Sequence, residues 1–130
     1  MALDEDSLDC MAWRSWLERQ AWPGASAWIG VLGRDEFACG RGKLLVWRTD
    51  AEGVQVTQRE YHGTFEPDVA LVLVTDSEAL GELRAHGAAR MRPLVRRGRL
   101  QPYVLKTLDE LSDAGLADFV DDLGLVFPRH

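Results

Sequence analysis

Residues 89–100 read ARMRPLVRRGRL, with Arg90, Arg92, Arg96, Arg97 and Arg99 in one short stretch that holds no acid. A guanidinium is a permanent cation with a rigid fork of donors, so such a cluster is suited to contact carboxylates, phosphates or anionic lipid head groups. Three sources of counter-charge fit the sequence. They are the acidic C-terminal segment of this chain or of a second copy, the head groups of a membrane surface, and nucleic-acid phosphates. No aromatic residue interleaves these arginines to stack a base, which disfavours nucleic acid. Arg90, Arg96, Arg97 and Arg99 are the expected contacts with an anionic partner, and Arg90, Arg96 and Arg97 are expected to share a helix face.

The other reactive residues form no catalytic constellation. His62, His86 and His130 are far apart, with no acid or thiol at ligand spacing. His86 is expected near a helix C-terminus, where positive charge is favourable without any function. Cys10 and Cys39 match no metal or redox spacing, and buried free thiols are the expectation. Gly40-Arg41-Gly42-Lys43 lacks the spacing of a phosphate-binding loop and precedes a strand rather than a helix. Asp118, Asp121 and Asp122 lack the glycine and alternation of a calcium loop and read as a solvated acidic face. The expectation is a protein without catalytic residues, metal or cofactor.

Charge is segregated along the chain. From Arg84 to Lys106 there are seven basic residues and no acids, whereas Leu108 to Leu125 holds six acids and no bases. The net charge of −6 and a pI near 5.0 argue against a dedicated DNA-binding domain and leave room for a local basic patch. A chain of 130 residues is expected to form a single domain, 1–130, with a self-sufficient core. No apolar run approaches the length of a membrane-spanning helix. The opening MALDEDSLDC is acidic where a secretory signal is basic and then apolar, so a cytoplasmic protein is expected.

The elements that must carry these residues follow from periodicity and punctuation. Residues 7–20 read as an amphipathic helix with Leu8, Met11, Ala12, Trp16 and Leu17 inward, a cap at Ser7 or Asp6, and a stop at Trp22-Pro23-Gly24. Trp13 and Trp16 are expected to divide between core and interface. Ser26–Gly33 has strand character, with Ala27, Ile29 and Val31 on one side and Trp28 and Leu32 on the other. A polar connection, 34–42, leads to a strand over Leu44–Thr49. The turn DAEG then returns the chain through Val54–Tyr61, whose alternation fades after Thr57 and marks an edge. The run DVALVLV, Asp68–Val74, is apolar on both faces and belongs inside the sheet.

Thr75-Asp76-Ser77-Glu78 reads as a capping box opening a helix with Ala79, Leu80 and Leu83 inward and a stop at Gly87. A short helix over Ala88–Arg97 turns Met91, Leu94 and Val95 inward and ends at Gly98. Arg99–Val104 is an edge strand, limited by Pro102. Thr107-Leu108-Asp109-Glu110 is a second capping box, and its helix is followed past Gly115 by a last one with Leu116, Phe119, Val120 and Leu123 apolar. Strands in a run and helices in a run predict an α+β fold: one layer of mostly antiparallel sheet, of four to five strands, covered by helices.

The stretch PDVALVLVTDSEALGELRAHG…PLVRRGRL resembles the second half of a sterol-carrier-protein-type domain. The strand from Asp68, the cap at Thr75–Glu78, Gly87, and Gly98 followed by Arg99-Leu100 carry the likeness. The upstream helix, strand and DAEG hairpin fall in the family's order, so it spans most of residues 7–105. The chain departs from the pattern at Leu100-Gln101-Pro102-Tyr103, at Pro93 with its dense arginines, and in a longer acidic C-terminal region. The resemblance implies a sterol-carrier-like topology, no catalytic residue, and an apolar tunnel between sheet and helices that accepts a lipid or acyl chain. It would be lined by Trp28, Trp47, Leu80, Leu83, Met91, Leu94, Leu116 and Phe119. All eight also read as ordinary core. The alternative function is a protein-interaction or self-associating module without a ligand cavity, using Trp13 or Trp16 and the arginine face.

Overall fold

The computed structural model describes residues 10–19, 26–50, 52–86 and 90–123. The expected cap at Ser7, the stop at Trp22-Pro23-Gly24 and the stop at Gly87 lie outside these residues. The elements are α1 (Cys10–Glu18), β1 (Trp28–Gly33), α2 (Arg34–Cys39), β2 (Gly42–Asp50), β3 (Gly53–Tyr61), β4 (Val69–Thr75), α3 (Ser77–His86), α4 (Met91–Arg96), β5 (Gln101–Val104), α5 (Leu108–Ala114) and α6 (Ala117–Asp122). They form an α+β fold on a five-stranded sheet in the order β3-β2-β1-β4-β5. The β1/β2, β2/β3 and β4/β5 pairs are antiparallel, and β1/β4 is parallel.

The parallel pair follows from connectivity. A parallel neighbour requires a long crossover, and here α2 and the β2–β3 hairpin intervene before β4 returns to the free side of β1. All seven residues of β4 are buried. An apolar run on both faces requires cover on both faces, and β4 has it: helix residues such as Leu80 and Leu94 pack on one side, and Phe37, Tyr61 and Phe65 on the other. The two rims are β3, whose polar second half is largely exposed, and β5, where Pro102 is half-buried at the edge.

The β1/β4 register shifts at its start: Trp28 faces Val69, but Ile29 faces Leu71. Ala70 is the extra residue of a bulge. Its insertion puts Val69, Val72 and Val74 on one side of the sheet and Ala70, Leu71 and Leu73 on the other. The latter side carries the main core, where Ile29, Val31, Leu45 and Trp47 meet Trp13, Trp16, Leu80, Leu83, Leu94 and Leu111 from the helices. The opposite side holds a smaller cluster of Leu32, Leu44, Val46, Tyr61 and the three valines of β4, flanked by Trp28, Phe37 and Phe65. The alternation expected for Ser26–Gly33 holds residue by residue.

Four local expectations are corrected. Residues 34–39 form α2 rather than a plain loop; Asp35 and Glu36 occupy its first turn and Phe37 turns onto the smaller cluster. The cap of α3 lies one residue later than expected. Asp76 Oδ1 accepts from Ala79 N at 2.8 Å, while the buried Thr75 hydroxyl donates across to Arg99 O at 3.0 Å. Met11 faces solvent, 80% exposed, instead of the core. Trp13 and Trp16 do not divide between core and interface, since both are buried. Trp13, Trp16 and Leu17, at i, i+3 and i+4, are the inward stripe of α1, and Met11 falls on its far side. Two indoles fit because Trp13 stacks on Trp47 at 6.0 Å while Trp16 meets Trp13 edge-on at 5.6 Å. The box at Thr107 forms as expected, with both reciprocal hydrogen bonds, and Gly115 ends α5.

Candidate functional site

The eight candidate cavity residues do not share one compartment. Trp47, Leu80, Leu83, Met91, Leu94, Leu116 and Phe119 all lie in the main core, each at most 8% exposed. Trp28 is half-buried on the opposite side of the sheet. Directly opposed residues of an antiparallel pair share a face, and Trp47 opposes Ile29, so Trp28 is excluded from that side.

The helix layer over this core is grooved. Ala12, Ser15, Trp16 and Arg19 of the α1 segment face Gly81 and Ala85 of α3 across an open cleft of about 470 Å³. The groove exists because the facing residues are small. A Cβ built on Gly81 would meet nothing within 4 Å. The floor is Trp16, 4% exposed, joined to the sheet by the Trp16–Trp13–Trp47 ring contacts. Arg19 lies at the margin, its Nε donating to Ser15 O at 3.2 Å. Neither this groove nor Arg19 was among the sequence candidates. The small residues at 12, 15, 81 and 85 carried the signal, but they point to a groove only once α1 and α3 are known to be neighbours.

A polar cluster on the other face of the sheet was also missed. The Arg48 guanidinium lies 4.7 Å from the centre of the Trp28 ring, and that of Arg59 lies at 5.4 Å. Arg59 donates through both Nη atoms to Asp68 at 2.8 and 2.7 Å. This bond raises the Arg59 pKa and holds the Asp68 carboxyl below the usual carboxylate range, against the opposing effect of burial. Arg48 donates to Gln55 Oε1 at 3.2 Å and sits 3.6 Å from Asp50, while Gln55 Nε2 donates to Asp50 at 2.6 Å. The two cations are thus matched by two acids, so the cluster clamps β1, β2 and β3 to the start of β4. Arg48 stands opposite Gln55 because the hairpin ends on the Asp50–Gly53 pair, and the DAEG turn is the sequence signal for that register.

The arginine stretch splits three ways. Arg92, Arg96 and Arg97 are exposed around α4, whereas Met91 and Leu94 are buried beneath it. Arg90 is half-buried at the N-cap. By helical spacing Arg90 and Arg97, seven apart, fall on one side of α4, and Arg92 and Arg96, four apart, on another. Arg99 turns back to α3, 3.9 Å from Asp76 and 3.7 Å from Glu78. The C-terminal acids are not the partners of these arginines among the described residues. Cys10 and Cys39 are not disulfide-bonded; Cys10 is half-buried, and Cys39 is exposed because α2 lies on the surface and turns Phe37 rather than Cys39 inward. Among the described residues no helix is long and apolar enough to cross a membrane.

No protein-family model matches this chain, and no functionally curated protein matches it. Among solved structures it is similar to a conserved hypothetical protein from Thermus thermophilus, solved in solution, for which the suggested identity is a sterol carrier protein. The two share 14% identity with a TM-score of 0.41, over 99% of this chain and 93% of that one.

Proposed function

We propose that this chain is a cytoplasmic, non-enzymatic binder of a small apolar ligand with an acyl-like tail. The groove between α1 and α3 carries the reading. Its volume of about 470 Å³ falls within the roughly 300–1,000 Å³ typical of small-molecule sites. Small side chains wall it, the Trp16 ring floors it, and Arg19 at its margin supplies a cation for a carboxylate or phosphate head group. None of the eight residues expected to line a tunnel borders this groove, which meets the main core through Trp16.

The interaction-module alternative is weakened in one part. Trp13 and Trp16, its proposed anchors, are consumed by the core. Native mass spectrometry of gently purified protein tests the binding reading, together with titration by a fluorescent fatty-acid probe. A co-purified apolar mass, or saturable micromolar binding of the probe, is expected. Protein that carries no such mass and leaves the probe unbound overturns the proposal.

A further inference from the structure

We propose that the outward arginines of α4 dock against the acidic α5–α6 surface of a second copy of this chain, head to tail. This does not rest on the binding function above. The cationic side chains of α1 and the sheet find an acid nearby, Arg14 with Glu18, Lys43 with Glu60, Arg48 with Asp50 and Arg59 with Asp68, and so does Arg99, just before β5, with Asp76 and Glu78. Arg92, Arg96 and Arg97 are exposed and have no acid at ion-pair distance among the described residues. Their mirror image lies on the last helices. Asp109, Asp113, Asp118 and Asp121 are exposed, and none is in an ion pair among the described residues.

These two surfaces are held apart within one molecule. Arg34, directly after β1, donates to Gly98 O at 2.6 Å, which ties the C-terminal end of α4 to the far end of β1. Ser26, just before β1, donates to Ala114 O at 3.0 Å, which ties the end of α5 to the near end. The six residues of β1 span about 20 Å. β5 then carries the chain away from the arginine end towards α5. At physiological salt the screening length is about 8 Å, so the two patches do not neutralise one another internally. They remain complementary for another copy.

Charge selects this occupant over an extended polyanion. The chain carries −6 overall, so a second copy, like a polyanion, is repelled at long range; unlike a polyanion it presents both signs at close range, acids for the arginines and arginines for the acids. Leu105 and Leu108, 38% and 48% exposed beside the acidic surface, add apolar area that arginine stems can cover. Because the contact joins two different surfaces, it is heterologous and yields rings or open chains rather than a two-fold dimer.

Sedimentation velocity of the full chain tests this at about 20 mM and about 500 mM NaCl, conditions that span long and short screening lengths. The wild type is expected to associate with rising concentration at low salt and to be monomeric at high salt. Arg92→Glu/Arg96→Glu/Arg97→Glu and Asp109→Lys/Asp113→Lys/Asp118→Lys are each expected to lower the low-salt association constant at least about tenfold. Mixing the two variants restores association, since one then offers only acids and the other only bases. Circular dichroism checks that both fold; where a reversal does not, Arg96→Gln/Arg97→Gln gives a weaker loss. A wild type that stays monomeric at low salt overturns the proposal. So does association that survives either reversal, or arginine-dependent binding to anionic vesicles or DNA without self-association.

Discussion

Gly81 is the position where the proposed groove and the stability of the fold make opposite demands. It is the fifth residue of α3, it is exposed, and a Cβ there would have no neighbour within 4 Å. Glycine inside a helix is less favourable than alanine by about 0.5–1 kcal/mol, because the unfolded chain loses more freedom on folding. With no steric cost to set against that gain, Gly81→Ala should raise Tm by roughly 2–6 °C for a domain of this size. Gly81→Leu keeps most of the helical gain, but its side chain projects between α1 and α3 above Trp16. It should weaken fatty-acid binding at least about tenfold, equivalent to about 1.4 kcal/mol. Thermal unfolding followed by circular dichroism, paired with the fluorescent fatty-acid titration, reads both quantities on the same samples. A Gly81→Leu protein that is as stable as the wild type and binds the probe equally well removes the groove as the entrance. A Gly81→Ala protein that melts earlier shows that α3 is packed against something at this point.

Two further substitutions probe the framework. The Asp68 carboxyl is held below its ordinary pKa chiefly by its hydrogen bonds from Arg59, so the stability it adds is complete above about pH 4, the unfolded value, and is lost as pH falls through the lower folded value. Because the Asp68 side chain is 47% exposed, that contribution is held to roughly 0.2–1 kcal/mol. Asp68→Asn should therefore melt slightly earlier than the wild type at neutral pH, with the gap closing towards about pH 2; a gap that widens in acid would contradict the assignment. Trp13→Ala removes a fully buried indole together with its contacts to Trp16 and Trp47. It should cost about 3–5 kcal/mol in chemical denaturation, and a loss below about 1 kcal/mol would show that α1 does not close the core.

The sheet was the most legible part of the sequence, because strand signals act over short range. DVALVLV could be placed inside the sheet from its apolar residues on both faces alone, and Pro102 and the fading alternation after Thr57 marked the two rims. What the pattern could not supply was the parallel β1/β4 pair or the bulge at Ala70, since both are decided by which strand the returning chain meets. The same limit explains the misplaced Trp28. Alternation separated it from Ile29, but only the register with β2 shows that Trp47 lies across the sheet from it. At α1, counting apolar positions favoured Met11. The stacked indoles prevail because a tryptophan buries far more apolar area than a methionine side chain needs to hide. α2 escaped notice because six residues between two glycines carry too little periodicity to register as a helix. The groove was beyond reach altogether, being an absence of side chains between two helices distant in sequence.

The arginine surface is also better prepared for binding than its composition conveys. Arg99 N and Leu100 N both donate to Leu94 O, at 2.9 and 3.2 Å, which folds the chain back tightly after α4 through Gly98. The buried Thr75 hydroxyl then fastens Arg99 O to the end of β4. A short helix of six residues has little stability of its own, yet here its C-terminal end is pinned to the sheet by β4, by Arg34, and by Leu94 and Leu100 in the core. The backbone under Arg96 and Arg97 is therefore ordered before any partner arrives, so association orders side chains and not the segment itself. That is the physical difference between this stretch and a flexible basic tail. It is also why the charge reversals above should change affinity without changing the helix that displays them.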